Sequence, residues 1–198
     1  MVSALTSTGL PFDLLVAAYF TWLGSEIVGA QLFARWRARD AQVVRRTDRA
    51  SGLAIVVGVL LSLVVISALA YHGLANLPLS VVYVGLGLMF VGVALRQWAI
   101  AVLGRYFSTT IRVLDIHRVV SGGPYRLVRH PSYTGAVLTL LGLGLAGGSW
   151  EGVIAVVGTA AVVFGYRIHV EERFLVDQLG PEYAAYRART KRLIPFLL

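Results

Sequence analysis

Residues 123–172 read GPYRLVRHPSYTG-AVLTLLGLGLA-GGSWEG-VIAVVGTAAVVFGY-RIHVEE, and their order decides the fold. A basic, His-Pro-containing box ends at Gly135. Two apolar runs follow, joined by only residues 147–152, and the second closes on Arg167, Glu171 and Glu172. So short a connection folds two helices into an antiparallel hairpin. Their far ends must then be neighbours, which sets the box 123–135 beside the cluster that starts at Arg167. Two polar clusters bordering apolar helices on one side of a bilayer suit a ligand that is half water-soluble and half lipid.

The rest of the chain agrees with a membrane setting. Of 198 residues, 57% are hydrophobic and 14% charged, and the mean hydropathy of +0.73 lies outside the range of soluble domains of this size. Apolar runs at residues 10–33, 53–71, 77–103, 134–150 and 153–166 give five candidate spans. A span needs roughly 20 apolar residues, so the fifth helix is expected to run on past the bilayer, carrying Arg167, Glu171 and Glu172 with it. No cleavable leader is evident, because the first apolar run lacks a basic segment before it and is long enough to span. The predicted architecture is an all-α membrane protein of about five transmembrane helices, a single domain over 1–198 whose motif-bearing half is about 95–198.

Charge orients it. Arg35, Arg37, Arg39, Arg45, Arg46 and Arg49 lie between runs one and two. Arg105, Arg112, Arg118, Arg126 and Arg129 lie between three and four, and the remaining basic residues follow run five, with Arg96 near the inner end of run three. The connections 72–76 and 147–152 hold no Lys or Arg. By the positive-inside bias the N-terminus is outside, the C-terminus cytoplasmic, and the candidate site faces the cytoplasm. The expected location is a bacterial inner (cytoplasmic) membrane. The same bias accounts for the net charge of +8 without nucleic acid. With no cysteine, and four histidines lacking ligand spacing, neither a disulfide, a cysteine nucleophile nor a metal centre is expected.

Several side chains have two readings. Arg167 and Glu171 are spaced i, i+4 and share a helix face. They can form a surface ion pair with a snorkelling arginine, or the arginine can hold an anionic acceptor group while the glutamate holds a cofactor. His130-Pro131 either marks the start of a helix or contributes a functional imidazole. Tyr125 and Tyr133 are interfacial aromatics or stacking surfaces for a ligand. The glycines of run four fit tight helix packing. Glu26 stands inside the first run, where a carboxylate is costly, and Arg96 is its available partner. Residues 180–187 read as a short amphipathic helix that anchors at the membrane surface.

Taken together, the ordered pieces Leu103-Gly-Arg-Tyr-Phe107, His117-Arg-Val-Val120, Gly123-Pro-Tyr125, Arg129-His-Pro-Ser-Tyr-Thr-Gly135, Glu171-Glu172 and Gly180-Pro-Glu-Tyr-Ala-Ala-Tyr186 resemble the isoprenylcysteine carboxyl methyltransferase family. More broadly they resemble integral-membrane methyltransferases, including phospholipid N-methyltransferases. The resemblance covers the C-terminal half and implies S-adenosylmethionine as methyl donor. Carried over by position, it implies cofactor contacts at His117, Arg118, Val119, Val120, Tyr125, His130, Pro131, Ser132, Tyr133 and Glu171. It implies an acceptor contact at Arg167, so Arg167 and Glu171 are the expected catalytic pair. A lipid-like or prenylated acceptor would arrive from the bilayer among membrane lipids. The expected step is in-line displacement at the methyl carbon, with no covalent intermediate, helped by orientation and exclusion of water.

The acceptor stays open among a prenylcysteine carboxylate, a phospholipid amine and a long-chain phenol, and with it the choice between O- and N-methylation. An NADPH-dependent, sterol-reductase-like enzyme is a rival, although the chain is short for that class. A small transporter or scaffold is another, although the polar clusters gather on one face instead of tracing a path across. Oligomeric state is not legible.

Overall fold

The computed structural model describes residues 9–40, 43–47, 50–71, 77–107, 111–114 and 119–195. Five helices follow the five apolar runs: α1 Gly9–Asp40, α2 Ala50–Tyr71, α3 Leu79–Leu103, α4 Pro131–Ala146 and α5 Trp150–Arg189. Helix α3 packs on α1 and α4, α4 on α5, and α5 on α2. Leu86, Met89, Leu140, Leu143, Val156 and Phe164 lie in the core between them. The architecture is helical as expected, with one addition the sequence did not announce. Strands β1 Val43–Thr47 and β2 Ile111–Leu114 pair antiparallel, Arg46 opposite Arg112 and Thr47 opposite Ile111.

Two of these helices, α3 and α5, are long and apolar enough to cross a membrane, which fits a membrane protein; residues 57–66 of α2 and all of α4 are shorter apolar stretches. Large apolar side chains face outward all along them, among them Val84, Val91, Ile154 and Val162. A soluble helix would present polar residues there.

The α3–α4 seam sets the position of everything below it. Gly85 and Gly92 on α3 face Gly142 and Gly135 on α4, and backbone touches backbone. A Cβ on Gly92 would stand 2.5 Å from the Thr139 nitrogen and 2.6 Å from the Gly135 carbonyl oxygen. Small residues recurring every seven positions on two facing helices allow this approach. The glycines of run four therefore serve helix packing, as read.

Both ends of the bundle follow the charge pattern. At one end Gly147 and Gly148 turn the chain, and Ser149 caps α5 by accepting the Gly152 N–H at 3.0 Å. The Leu77 N–H donates to the Gly148 carbonyl at 2.8 Å, joining the turn to the start of α3. At the other end β1·β2 ties the basic α1–α2 connection to the basic α3–α4 connection. Helix α5 begins at Trp150 and breaks at Gly180, where φ is +54° and ψ −129°. That left-handed backbone suits glycine, and Pro181 starts the next turns. The thirty residues before the break span about 45 Å against a hydrocarbon core of about 30 Å. The fifth helix thus runs well past its apolar segment, as its short run of apolar residues required.

Candidate functional site

The box folds as a 3-10 turn, Gly123–Arg126, followed by an extended stretch into α4, with Pro131 as the first helical residue. The chain's tail holds that stretch in place. Arg129 N–H donates to the Lys191 carbonyl at 2.7 Å and His130 N–H to the Arg192 carbonyl at 3.1 Å. Lys191 N–H returns to the Leu127 carbonyl at 3.4 Å, and Thr134 Oγ1 donates to the Leu193 carbonyl at 2.8 Å. Tyr183 and Tyr186, beyond the Gly180 break, are buried against the site instead of lying at a membrane surface. The Tyr186 hydroxyl donates to the Tyr125 carbonyl at 2.8 Å. Expected as a surface anchor, this segment is partly a wall of the site; only its outer residues are exposed.

Glu172 is the hub of the polar cluster. It is buried, accepts from Arg129 Nε at 2.8 Å and Arg192 Nε at 3.3 Å, and has Arg187 Nη2 at 3.9 Å. Arg129 in turn donates through Nη1 to the carbonyls of Arg187 and Thr190, so one guanidinium binds the tail to α5. His130 Nε2 lies 3.4 Å from Glu172 Oε1, at the limit of reach and poorly aligned. Among the described residues that nitrogen has no well-formed partner. Burial works to raise the Glu172 pKa, but the nearness of His130, the hydrogen bond from Arg129 and the charge of Arg129 outweigh it, holding it at about 2 against an ordinary 4.5. A depressed carboxyl contributes stability that is complete above the unfolded value and is lost as pH falls through the folded one. Acid titration followed by thermal unfolding should show a stability loss between about pH 4.5 and 2. That loss should be much reduced in Glu172→Gln; an unchanged acid limb in the variant would assign the loss to other carboxylates.

A second assembly sits one turn towards the bundle. The Tyr133 hydroxyl donates to Glu171 Oε2 at 2.6 Å and accepts from Arg167 Nε at 2.8 Å. Arg167 is buried, 3% exposed, so it is not the snorkelling surface residue that spacing allowed. Nor does the phenol leave Arg167 and Glu171 as a simple ion pair: it stands between them. The His130 ring stacks on Tyr133 at 5.5 Å with 15° between planes, and the Phe164 ring packs on Tyr133 at 5.5 Å, tilted by 40°. Behind them Glu26 of α1 takes a two-pronged ion pair from Arg96 of α3, one contact at 2.8 Å. Arg96 Nη1 also donates to the Ser132 carbonyl at 3.2 Å, bracing the residue before Tyr133. The candidate partner of Glu26 is its actual one.

Of the residues the resemblance pointed to, His130, Tyr133, Arg167 and Glu171 converge. Pro131 and Ser132 are buried in the first turn of α4, and Tyr125 is buried in the 3-10 turn. Val119 N–H donates to Glu182 Oε1 at 3.3 Å, so residues 119 and 120 border the tail helix. His117 and Arg118 lie outside the described residues. Sequence reasoning missed Arg129, Glu172, Tyr183 and Tyr186. The adjacent carboxylates and the Tyr-x-x-Tyr spacing were visible, but nothing local showed which way they face.

Residues 85–177 match the model of the isoprenylcysteine carboxyl methyltransferase (ICMT) family. The match covers a little under half of the chain. The matched segment contains α3 from Gly85 onward, α4, and α5 as far as Asp177, which is the whole geometry just described apart from α1 and the tail. A probable protein-S-isoprenylcysteine O-methyltransferase of Oryza sativa subsp. indica is 33% identical over 117 residues, 58% of this chain and 61% of that protein. The cobalt-zinc-cadmium resistance protein CzcN of Cupriavidus metallidurans is 37% identical over 115 residues, 57% of this chain and 47% of its own. The chain thus aligns with less than two thirds of these relatives' length. A solved structure of the eukaryotic intramembrane Ras methyltransferase ICMT superposes with TM-score 0.62 at 23% identity, over 76% of this chain and 55% of that one. The likeness is one of fold.

Proposed function

We propose that the chain is an S-adenosylmethionine-dependent methyltransferase acting on a lipid-like acceptor, with Arg167 and Glu171 as its catalytic pair. The observation that carries the reading is the Arg167–Tyr133–Glu171 bridge beside His130, with its guanidinium buried. It sets a guanidinium and a carboxylate a hydroxyl's width apart at the end of an apolar bundle. The names of the relatives support transferase over reductase chemistry.

The residues fit the cofactor. Two buried polar atoms without a well-formed partner among the described residues, His130 Nε2 beside Glu172 and the Tyr183 hydroxyl, offer hydrogen-bonding positions to a polar ligand. S-adenosylmethionine, when bound, supplies a methyl group made electrophilic by its sulfonium. Glu171, with His130 and Tyr133, holds it, Tyr125, Pro131 and Ser132 shape the wall, and the resemblance adds contacts from residues 117–120. Arg167 fixes the acceptor, and a guanidinium fork favours a carboxylate over an amine or phenol. An ionised carboxylate needs no base near neutral pH. What the chain contributes is therefore alignment and dryness, which buried Arg167 and its apolar neighbours provide.

In the same reading all five helices span a cytoplasmic membrane as one domain, with residues 95–198 as its catalytic half. The basic ends tied by β1·β2 and by the tail face the cytoplasm, and the turn 147–152 faces out. Calorimetric titration of the purified full chain, first with S-adenosylmethionine and then with NADPH, tests the donor. Transfer of a labelled methyl group to a prenylated cysteine, a phospholipid amine or a long-chain phenol tests the acceptor. Binding of the first compound alone, with label on the carboxylate, is expected; binding of neither compound overturns the enzyme reading.

A further inference from the structure

Tyr183 and Tyr186 lie one turn apart on the helix that follows Gly180, both 4% exposed, their rings 5.9 Å apart. Their hydroxyls are treated differently. That of Tyr186 donates to the Tyr125 carbonyl at 2.8 Å and so fastens the helix to the box. That of Tyr183 is buried without a partner among the described residues. A buried hydroxyl left unpaired costs stability, and phenylalanine would pack in its place without that cost. The second such atom, His130 Nε2, borders Glu172 Oε1 at 3.4 Å. Burial raises the Tyr183 pKa, with the charges of Glu172 and Glu171 adding to it. Two buried polar atoms without a well-formed partner, one at the end of the box and one on the helix that Tyr186 fastens to the box, mark a position where a ligand's polar group completes the bonding.

We infer that the Tyr183 hydroxyl is a cofactor contact, bonding an N–H or O–H group of the S-adenosyl moiety, an assignment that rests on the methyltransferase reading. The tail helix thereby supplies a side chain to the binding site in addition to bracing the box. The shared chemistry is a hydrogen-bond donor, and the cofactor has three such groups: the ammonium of its amino-acid end, the hydroxyls of its ribose and the amino group of its adenine.

The experiment compares the full-length protein with Tyr183→Phe in detergent, using S-adenosylhomocysteine and 5′-methylthioadenosine as probes, read by calorimetry and by thermal unfolding. Without ligand, Tyr183→Phe should melt at the same temperature as the parent or above it, because no bond is lost. Its affinity for S-adenosylhomocysteine should fall about tenfold, the size of one lost hydrogen bond, and the ligand-induced rise in Tm should shrink accordingly. A loss for both probes places the contact on the adenosine, and a loss for S-adenosylhomocysteine alone places it on the amino-acid end. Tyr186→Phe should do the reverse in the ligand-free state and melt lower. Equal affinity of the parent and Tyr183→Phe for both probes overturns the inference. If the parent itself binds neither probe, the methyltransferase reading fails instead.

Discussion

Methyl transfer is expected to fall by about 10²-fold or more in Arg167→Ala, while affinity for S-adenosylmethionine stays near that of the parent. The separation of the two effects follows from the bridge. Tyr133 keeps its bond to Glu171 when the guanidinium goes, so the cofactor's side of the site retains its geometry. On the proposed reading what disappears is the charge that fixes the acceptor, and a displacement reaction depends steeply on the angle and distance of the nucleophile. Arg167→Lys restores charge but not the planar fork, and should recover only part of the rate. Glu171→Gln should show the complementary pattern, with donor affinity lost and the fold retained. The measurements are initial rates with labelled donor, donor affinity by calorimetry, and a melting curve confirming that each variant is folded. Parent-like rates in both Arg167→Ala and Glu171→Gln would remove these residues from the chemistry.

The second large effect is expected far from any polar side chain. Gly92→Ala should destabilise the protein by about 3 kcal/mol or more, lowering Tm by roughly 5–10 °C, because overpacked interiors cost that much and backbone cannot step aside. The new methyl would meet the Thr139 nitrogen and hydroxyl at 2.5 Å and the Gly135 carbonyl oxygen at 2.6 Å. Only separation of α3 from α4 relieves the clash. Arg96 lies one turn further along α3 and reaches across to the Ser132 carbonyl, so separation also loosens the residue before Tyr133. Gly87→Ala on the same helix is the control. It is exposed with nothing within 4 Å of its added carbon, and helix propensity alone makes it neutral or up to about 1 kcal/mol stabilising. Equal melting temperatures for the two variants would mean that the seam is looser than the contacts describe.

The parts of this molecule written in short-range patterns were legible. Six residues between two apolar runs dictated the α4–α5 hairpin, and the hairpin dictated that His130 and Tyr133 meet Arg167 and Glu171. A carboxylate at position 26 demanded a cation, and Arg96 was the one available in the neighbouring runs. Heptad-spaced glycines announced close packing. What stayed hidden depends on backbone pairing or on direction. Residues 191–193 hold the box through main-chain groups, which any sequence offers equally. Val43–Thr47 is too short and too charged to read as a strand until Ile111–Leu114 lies beside it. The i, i+4 spacing of Arg167 and Glu171 showed a shared face but not that Tyr133 would stand between them. The residues 180–187 were amphipathic on paper; their apolar face found the site in place of lipid.

The strand-like pairing of residues 128–130 with residues 191–193 also fixes when the site can exist. During synthesis every side chain of the Arg167–Tyr133–Glu171 bridge has been made some twenty residues before Lys191 and Arg192 emerge. The helices can insert and the hairpin can close in that interval, but Arg129 and His130 still lack the carbonyls that hold them. A chain cut short of Lys191 should therefore keep its helices and lose the order of Arg129 and His130.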